Sequence, residues 1–201
     1  MIATLIDYGA GNVTSVERAL HKLGTEVRIT NQPEGLTTAT CLILPGVGHS
    51  AALLCALDAH GLRHPLLTAI SRGTPFLGIC LGLQALYQNS AEAPELKGLD
   101  LLHGHVEQLP KNVKLPHMGW NQLRPLRDCK LLSDISADAY FYFAHSYAAP
   151  AGGPATAATC EHGREFTAVL ETERIFGVQF HPEKSGVPGA KLLDNFLRLA
   201  A

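Results

Sequence analysis

Residues 75–84 read Pro-Phe-Leu-Gly-Ile-Cys-Leu-Gly-Leu-Gln. Phe76 to Ile79 is a short apolar run after Thr74 and Pro75, which has the look of a buried strand and is too short for a helix of its own. Leu81 to Tyr87 then carries Leu81, Ala85 and Leu86 at helical spacing. Cys80 sits between the two, with Gly78 and Gly82 two residues away on either side. A strand that turns directly into a helix needs small neighbours at the turn, and Gly-x-nucleophile-x-Gly is the pattern of that strained elbow. The elbow places the Cys80 sulfur at a helix N-terminus, where free N–H groups and the macrodipole favour thiolate over thiol. The competing reading is a small, inert, buried cysteine in a tight turn; the two glycines and the strand-to-helix context favour a nucleophile.

Outward from the elbow the chain alternates strand and helix on its N-terminal side. Ile2 to Asp7 reads as a strand, Tyr8 to Asn12 as a glycine turn, and Val13 to Leu23 as a helix with Val13, Val16, Ala19, Leu20 and Leu23 on one face, closed by Gly24. Strands are expected at Glu26 to Thr30 and Thr40 to Leu44. A Pro45-Gly46-Val47-Gly48 loop follows, then helices around Ser50 to Ala59 and Pro65 to Arg72. Such alternation implies a parallel, doubly wound sheet. After Asn89 the pattern changes. Ser90 to Gly98 is a polar, proline-containing loop. Short strands follow at Leu99 to Leu102, Val106 to Leu109, Trp120 to Leu123, Tyr140 to Phe143, Ala155 to Cys160, Phe166 to Leu170 and Ile175 to Gln179, with turns at Glu161-His162-Gly163 and Glu171-Thr172-Glu173. Pro188 to Leu199 is a closing helix. The expectation is one α/β domain over 1–201: a doubly wound, mostly parallel sheet flanked by helices, with an antiparallel strand extension.

The bulk numbers narrow the function. The chain has 201 residues, 46% hydrophobic and 17% charged, with a formal net charge of -2. This is an ordinary globular composition with no call for nucleic acid or a membrane surface. The opening MIATLIDYGAGN has no basic region and meets Asp7 in its first apolar run, so no signal peptide is expected, and no apolar run approaches membrane-spanning length. The five cysteines are odd in number and form no C-x-x-C pair, which fits a reducing cytoplasm rather than a disulfide framework.

A thiolate nucleophile needs a base, and the base needs an orienter. His181 and Glu183 lie at the exit of an apolar strand in FGVQFHPEKSG. Residues two apart on an extended segment point the same way, so Glu183 can hold the His181 ring while the ring faces Cys80. Either residue alone also fits a loop histidine or a solvated glutamate. Acyl chemistry further needs an oxyanion hole. Leu81 N–H, just after the nucleophile, is one donor; Gly46-Val47-Gly48 is a second source, or simply a tight turn before a helix. Gly9-Ala10-Gly11 has two glycines of a dinucleotide fingerprint, but Thr14 stands where the third belongs, so a tight turn is the better reading. The ten histidines include no ligand-spaced set, and neither metal nor cofactor is expected.

Cys80 in GICLGLQ, with His181-Pro182-Glu183 about a hundred residues on, resembles the class I (triad) glutamine amidotransferases. IDYGAGNVTSV at Ile6 to Val16, LPGVG at Leu44 to Gly48, LPHMGWNQL at Leu115 to Leu123, YFAHSY at Tyr142 to Tyr147 and GVQFHPEKSG at Gly177 to Gly186 extend the resemblance over essentially the whole chain. Ala144, where the family often has Val, is a local departure. The resemblance implies the amidotransferase variant of a flavodoxin-like fold, with L-glutamine as substrate. It implies that Cys80 attacks the carboxamide, that His181 protonates the leaving ammonia, and that Glu183 orients His181. The oxyanion hole is expected at Val47, Gly48 and Leu81, and substrate contacts at Gly48, Gln84, His145, Ser146 and Tyr147. LPHMGWN points to the branch that forms heterodimers with a (β/α)8-barrel cyclase of histidine biosynthesis, rather than to glutaminases of pyridoxal phosphate, anthranilate or carbamoyl phosphate synthesis. The partner face is then expected at Trp120, Met118 and Asn12. A lone tryptophan is more commonly a core aromatic. Its glycine and polar neighbours, and the enrichment of tryptophan as an interface anchor, favour the interface.

Overall fold

The computed structural model describes residues 2–9 and 12–201. Ala10 and Gly11, within the expected glycine turn, lie outside the described residues. The N-terminal half runs β1 (Ile2–Ile6), α1 (Val13–Lys22), β2 (Glu26–Thr30), α2 (Pro33–Thr37), β3 (Leu42–Gly46), α3 (Ser50–Ala59), α4 (Arg63–Ser71), β4 (Phe76–Cys80) and the single turn α5 (Leu81–Gln84). Strands dominate the remainder: β5 (Tyr87–Ser90), β6 (Leu102–Gln108), β7 (His117–Gln122), β8 (Arg124–Pro125), β9 (Tyr140–His145), β10 (Tyr147–Ala148), β11 (Thr156–Glu161), β12 (Glu165–Glu171) and β13 (Ile175–Val178), closed by α6 (Gly186–Ala200).

Eight strands form the main sheet in the order β2-β1-β3-β4-β13-β12-β11-β8. Pairing is parallel from β2 to β13 and antiparallel from β13 outward. This is the doubly wound sheet with an antiparallel extension that the alternation implies. Its centre is dry: β3 and β4 are buried at every position, because helices cover both faces of a parallel sheet. Alternation along β3 sends Leu42 and Leu44 into the core under α3 and α4, and Cys41 and Ile43 into the core shared with α1 and α6. At the edge, β2 carries Glu26 and Arg28 and is largely exposed, a composition that discourages strand addition. Two smaller sheets, β10-β6-β5 and β7-β9, stand beside the main one.

Several elements depart from expectation, among them Pro45 and Gly46, expected in a loop but ending β3, and the short strands β8 and β10. The helix expected from Leu81 to Tyr87 stops after one turn, and Tyr87–Ser90 becomes a strand parallel to β6. Apolar periodicity there is overridden by non-local pairing: Leu99 N–H bonds Ala85 O, and Leu101 and Leu102 N–H both bond Leu86 O. The two strands expected at Leu99–Leu102 and Val106–Leu109 are one strand, β6, running through Gly104 at φ 130°. β7 begins at His117, three residues before expectation, because its whole length pairs with β9. The short α2, entered through Pro33, had no clear signal beyond proline at a helix start.

Candidate active site

The C-terminal ends of parallel strands are where α/β sheets place ligands, and three adjacent strands converge here. Cys80 ends β4 with φ 55°, a left-handed conformation strained for a residue with a side chain. The flanking glycines explain how the chain tolerates it. A Cβ on Gly82 would collide with Leu44 O, and one on Gly78 with the Gly82 carbonyl. Only bare backbone lets the elbow fold this tightly against β3 and its own strand. α5 is one turn long, so the macrodipole expected to favour the thiolate is small; specific donors must carry that load.

β13 lies directly beside β4, with Val178 opposite Ile79. The chain leaving β13 therefore passes Cys80 and delivers His181 to the same cavity. The His181 ring is almost fully buried, and its Nδ1 donates to Glu183 Oε1 at 2.9 Å, with the Glu183 side chain entirely enclosed. That contact directs Nε2 to the Cys80 side. Burial by itself pulls the imidazole pKa down, but hydrogen bonding to Cys80 and Glu183, and their negative charge, outweigh it and raise His181 to about 10. The site thus favours an imidazolium held between sulfur and carboxylate. Asn12 Nδ2 also donates to Glu183 Oε1, at 2.9 Å. The residue expected at the partner face is therefore also a fourth member of the Cys-His-Glu line.

A cavity of about 160 Å³ opens over the sulfur, lined by Val47, Gly48, Cys80, Leu81, Gln84 and Glu92 on one side and by Ala144 to Tyr147, His181 and Lys184 on the other. Every residue expected to bind substrate or form the oxyanion hole borders it. A larger groove of about 510 Å³ between α1 and α6 reaches Glu183 from behind and includes neither Cys80 nor His181 in its lining. Leu81 N–H, in the first turn of α5, lacks an intrahelical partner and borders the cavity. The second expected donor is turned away: Val47 N–H donates to Tyr8 Oη at 3.2 Å. The direction follows from the ladder. Leu42 N–H points to β4, bonding Pro75 O, so alternate residues, Val47 among them, point to β1, where Tyr8 stands. Tyr8 is a neutral phenol, its pKa raised to about 12 by burial. Gly48 follows at φ +94°, a left-handed backbone that glycine adopts without a side-chain penalty.

The remaining contacts form one hydrogen-bonded wall. Gln84 Nε2 donates to Tyr147 O at 2.7 Å and to Gln179 Oε1 at 3.0 Å. Gln84 Oε1 is buried without a protein partner, an acceptor on a residue that lines the cavity. Gln179 Nε2 lies 3.5 Å from Cys80 Sγ. His145 Nδ1 lies 2.9 Å from Tyr147 O and must donate to it, so His145 Nε2 is the acceptor for His117 Nδ1 at 3.1 Å. Sequence reasoning missed Glu92, the one carboxylate lining the cavity. It accepts from Ser50 N–H at 2.8 Å and Ser50 Oγ at 2.6 Å. Its only local signal is a position in a polar loop, and its place in the site depends on where α3 begins.

The paired histidines carry a measurable consequence. Burial pushes His145 down to about 3 and His117 down to about 4, the latter helped by neighbouring His162. Both are neutral in the fold and protonate near 6.5 when the chain unfolds. A group whose folded pKa is depressed contributes stability that is whole above its unfolded pKa and lost as pH falls toward the folded value. Stability should therefore drop from about pH 6.5 toward 4, by on the order of 1 kcal/mol per ring per pH unit. Urea unfolding at a series of pH values checks this; a midpoint that does not change across that range contradicts the neutral pair.

On the β7–β9 pair, His117 points inward while Met118 and Trp120 point outward, 65% and 55% exposed, with Tyr140 at 52% beside them. The tryptophan is a surface residue, edge-on to Tyr142. Together these side chains make an exposed apolar patch on this face. The inner side of the same strand pair ends at His145, on the cavity wall. Among the described residues no cluster of three His, Cys, Asp or Glu is arranged to hold a metal, and no helix is long and apolar enough to cross a membrane.

The family described as glutamine amidotransferase class-I matches residues 4–200. Imidazole glycerol phosphate synthase subunit HisH of Methanothermobacter thermautotrophicus is 46% identical over 199 residues, covering 99% of this chain and 98% of that protein. The subunit of the same name from Moorella thermoacetica is 46% identical over 193 residues, covering 96% and 92%. Among solved structures, a glutamine amidotransferase superposes with a TM-score of 0.78 at 20% identity, covering 98% of both chains. PurLQS from Thermotoga maritima does so with 0.75 at 20% identity, covering 98% and 97%. At that identity the likeness speaks for the fold.

Proposed function

This chain belongs to the class-I glutamine amidotransferase family, and we propose that it is the glutaminase subunit of imidazole glycerol phosphate synthase, releasing ammonia from L-glutamine for a cyclase subunit. The near full-length identity to subunits of that name carries the assignment. The meeting of Cys80 and His181 in one cavity, with Glu183 holding the His181 ring, supports the chemistry. The whole stretch 1–201 acts as one glutamine amidotransferase domain.

Glutamine enters with its α-ammonium toward the Glu92 carboxylate. Gln84 Oε1 accepts from the substrate, and the backbone of Gly48 and of His145 to Tyr147 surrounds its amino-acid end. The Cys80 thiolate attacks the side-chain carbonyl carbon. Leu81 N–H stabilises the oxyanion, joined by Val47 N–H once that peptide turns from Tyr8. The proton on His181 goes to the departing nitrogen, the C–N bond breaks, and a thioester and ammonia result. Water then gives its proton to His181 and opens the thioester to glutamate. No cofactor is needed for either step. Because the second oxyanion donor is parked on Tyr8, the free subunit is a poor glutaminase.

The ammonia passes to a (β/α)8-barrel cyclase docked as a heterodimer on the outer face of the β7–β9 pair. The cyclase joins it to a phosphoribulosyl aminoimidazole carboxamide nucleotide, giving imidazole glycerol phosphate and an aminoimidazole carboxamide ribotide in histidine biosynthesis. The work is done in the cytoplasm, which suits a chain whose five cysteines are all free. The test is to combine the protein with that cyclase, glutamine and the nucleotide. Coupled product, and glutamate release that rises sharply over the free subunit, are expected; no product with a competent cyclase refutes the assignment.

Trp120 anchors the interface. Truncating an exposed aromatic anchor costs ~2 kcal/mol or more, roughly a thirtyfold loss of affinity. Trp120→Ala should weaken cyclase binding by that factor and leave the subunit folded, since the ring is half out of the protein already. Calorimetric titration measures the first and circular dichroism the second. Unchanged affinity would move the interface elsewhere.

A further inference from the structure

The contact between Gln179 and the Cys80 sulfur has no place in the Cys-His-Glu line. Gln179 is fully buried. The parallel register that sets Val178 opposite Ile79 brings the next residue, Gln179, beside Cys80, and its backbone N–H is anchored to Ala168 O at 2.9 Å. The orientation of its amide is settled by Gln84. Both Gln84 Nε2 hydrogens are committed, one to Tyr147 O and the other to Gln179 Oε1. Oε1 is therefore the accepting end of Gln179, and its NH2 group must face the sulfur, 3.5 Å away. A neutral thiol is a weak acceptor; a thiolate is a strong one, because hydrogen bonds to charged groups are the stronger kind. With α5 only one turn long, the sulfur depends on such a donor.

We propose that Gln179 is a catalytic residue whose amide N–H stabilises the Cys80 thiolate, both as attacking group and as leaving group. This rests on the reading of Cys80 as the glutaminase nucleophile. In acylation the sulfur lone pair forms the C–S bond as the C–N bond breaks, and the ammonia leaves with the proton from His181. In deacylation the oxygen of water forms the C–O bond and its proton goes to His181. The C–S bond then breaks, and the sulfur recovers its electron pair against the Gln179 N–H. Gln84 acts one step back, as the positioning residue that fixes which end of Gln179 meets the sulfur.

Two variants test the donor in the complex with the cyclase. Gln179→Met keeps the volume and removes the donor. Gln179→Glu keeps an acceptor for Gln84 and replaces the donor with an acceptor. The readouts are the kcat and KM for glutamine, and the rate at which iodoacetamide alkylates Cys80 across pH, followed by peptide mass spectrometry. The other titratable groups near the sulfur are His181, Glu183, Tyr8, His145, Glu92 and Lys184, and neither variant replaces any of them. The expected result is a loss of kcat of roughly ten- to a hundredfold with KM little changed. Cys80 alkylation should slow by about tenfold near neutral pH, the deficit closing as alkaline pH makes thiolate in both proteins. A packing defect alone would not close with pH. Variants that fold and alkylate at the native rate throughout overturn the proposal. If neither folds, the native protein decides: the Gln179 side-chain amide resonances should move as Cys80 titrates, and stationary resonances overturn the proposal. A native complex that releases no glutamate refutes the glutaminase reading instead, and the alkylation comparison still judges the donor.

Discussion

Cys80→Ala abolishes synthesis from glutamine and leaves synthesis from added ammonium at the native rate. The effect is total on one nitrogen source and absent on the other because the two chemistries sit on different subunits. Cys80 ends β4 inside the cavity of this chain, where its thiol is the group assigned to form the acyl intermediate. Ring closure belongs to the cyclase. Ala at this position removes the thiol but keeps the Cβ, and the elbow is held by Gly78 and Gly82 and by the β3–β4 ladder, so the complex still assembles. Product formation by the assembled variant with each nitrogen source is the measurement. Loss of the ammonium-dependent rate from an intact complex would sink the division of labour.

The second large effect separates the base from its orienter. His181→Ala should lower the glutaminase rate by ~10²–10⁴, the usual range for a positioned general acid–base. Glu183→Gln should cost less. The substitution keeps a side-chain oxygen that can accept from His181 Nδ1, so the ring stays aimed, and Asn12 still borders that position. What disappears is the negative charge, one of the influences holding His181 at about 10. Without it the imidazole loses its proton at lower pH. The variant's glutamine turnover should therefore fall away on the alkaline side at a lower pH than the native enzyme's. Steady-state rates of both variants across pH test the order. A smaller loss for His181→Ala than for Glu183→Gln would reverse the two roles.

How far the site could be read in advance depended on how each residue is tied to its neighbours in sequence. The elbow was legible because its logic is local: Gly78, Cys80 and Gly82 lie within one strand-to-helix turn, and the steric need for bare backbone shows in the sequence itself. His181 and Glu183 were legible as a pair from their closeness in sequence, but not for the expected reason: Pro182–Lys184 is a 3-10 turn rather than extended chain, and that turn brings Glu183 Oε1 to His181 Nδ1. Helix periodicity misled at Leu81 to Tyr87, where the apolar spacing suits a helix but the backbone groups of Ala85 and Leu86 are claimed by Leu99, Leu101 and Leu102. Trp120 is exposed, and what fixes its direction is the pairing of β7 with β9, which puts His117 in and Met118 and Trp120 out.

By itself, then, the sequence determined the alternating strand–helix order, the strained turn at Cys80 and the His-Pro-Glu exit from the last strand. Only the tertiary structure decided that Asn12 holds Glu183 across 171 positions of chain, that Glu92 reaches the cavity from a loop by capping Ser50, and that Val47 N–H is parked on Tyr8. It also decided that Gln179 meets the sulfur 99 residues away. The physical reason is common to all four. Each contact is made by polar groups on elements brought side by side by strand order and burial, and a hydrogen bond between such elements leaves no periodicity, spacing or composition in the segment around either partner.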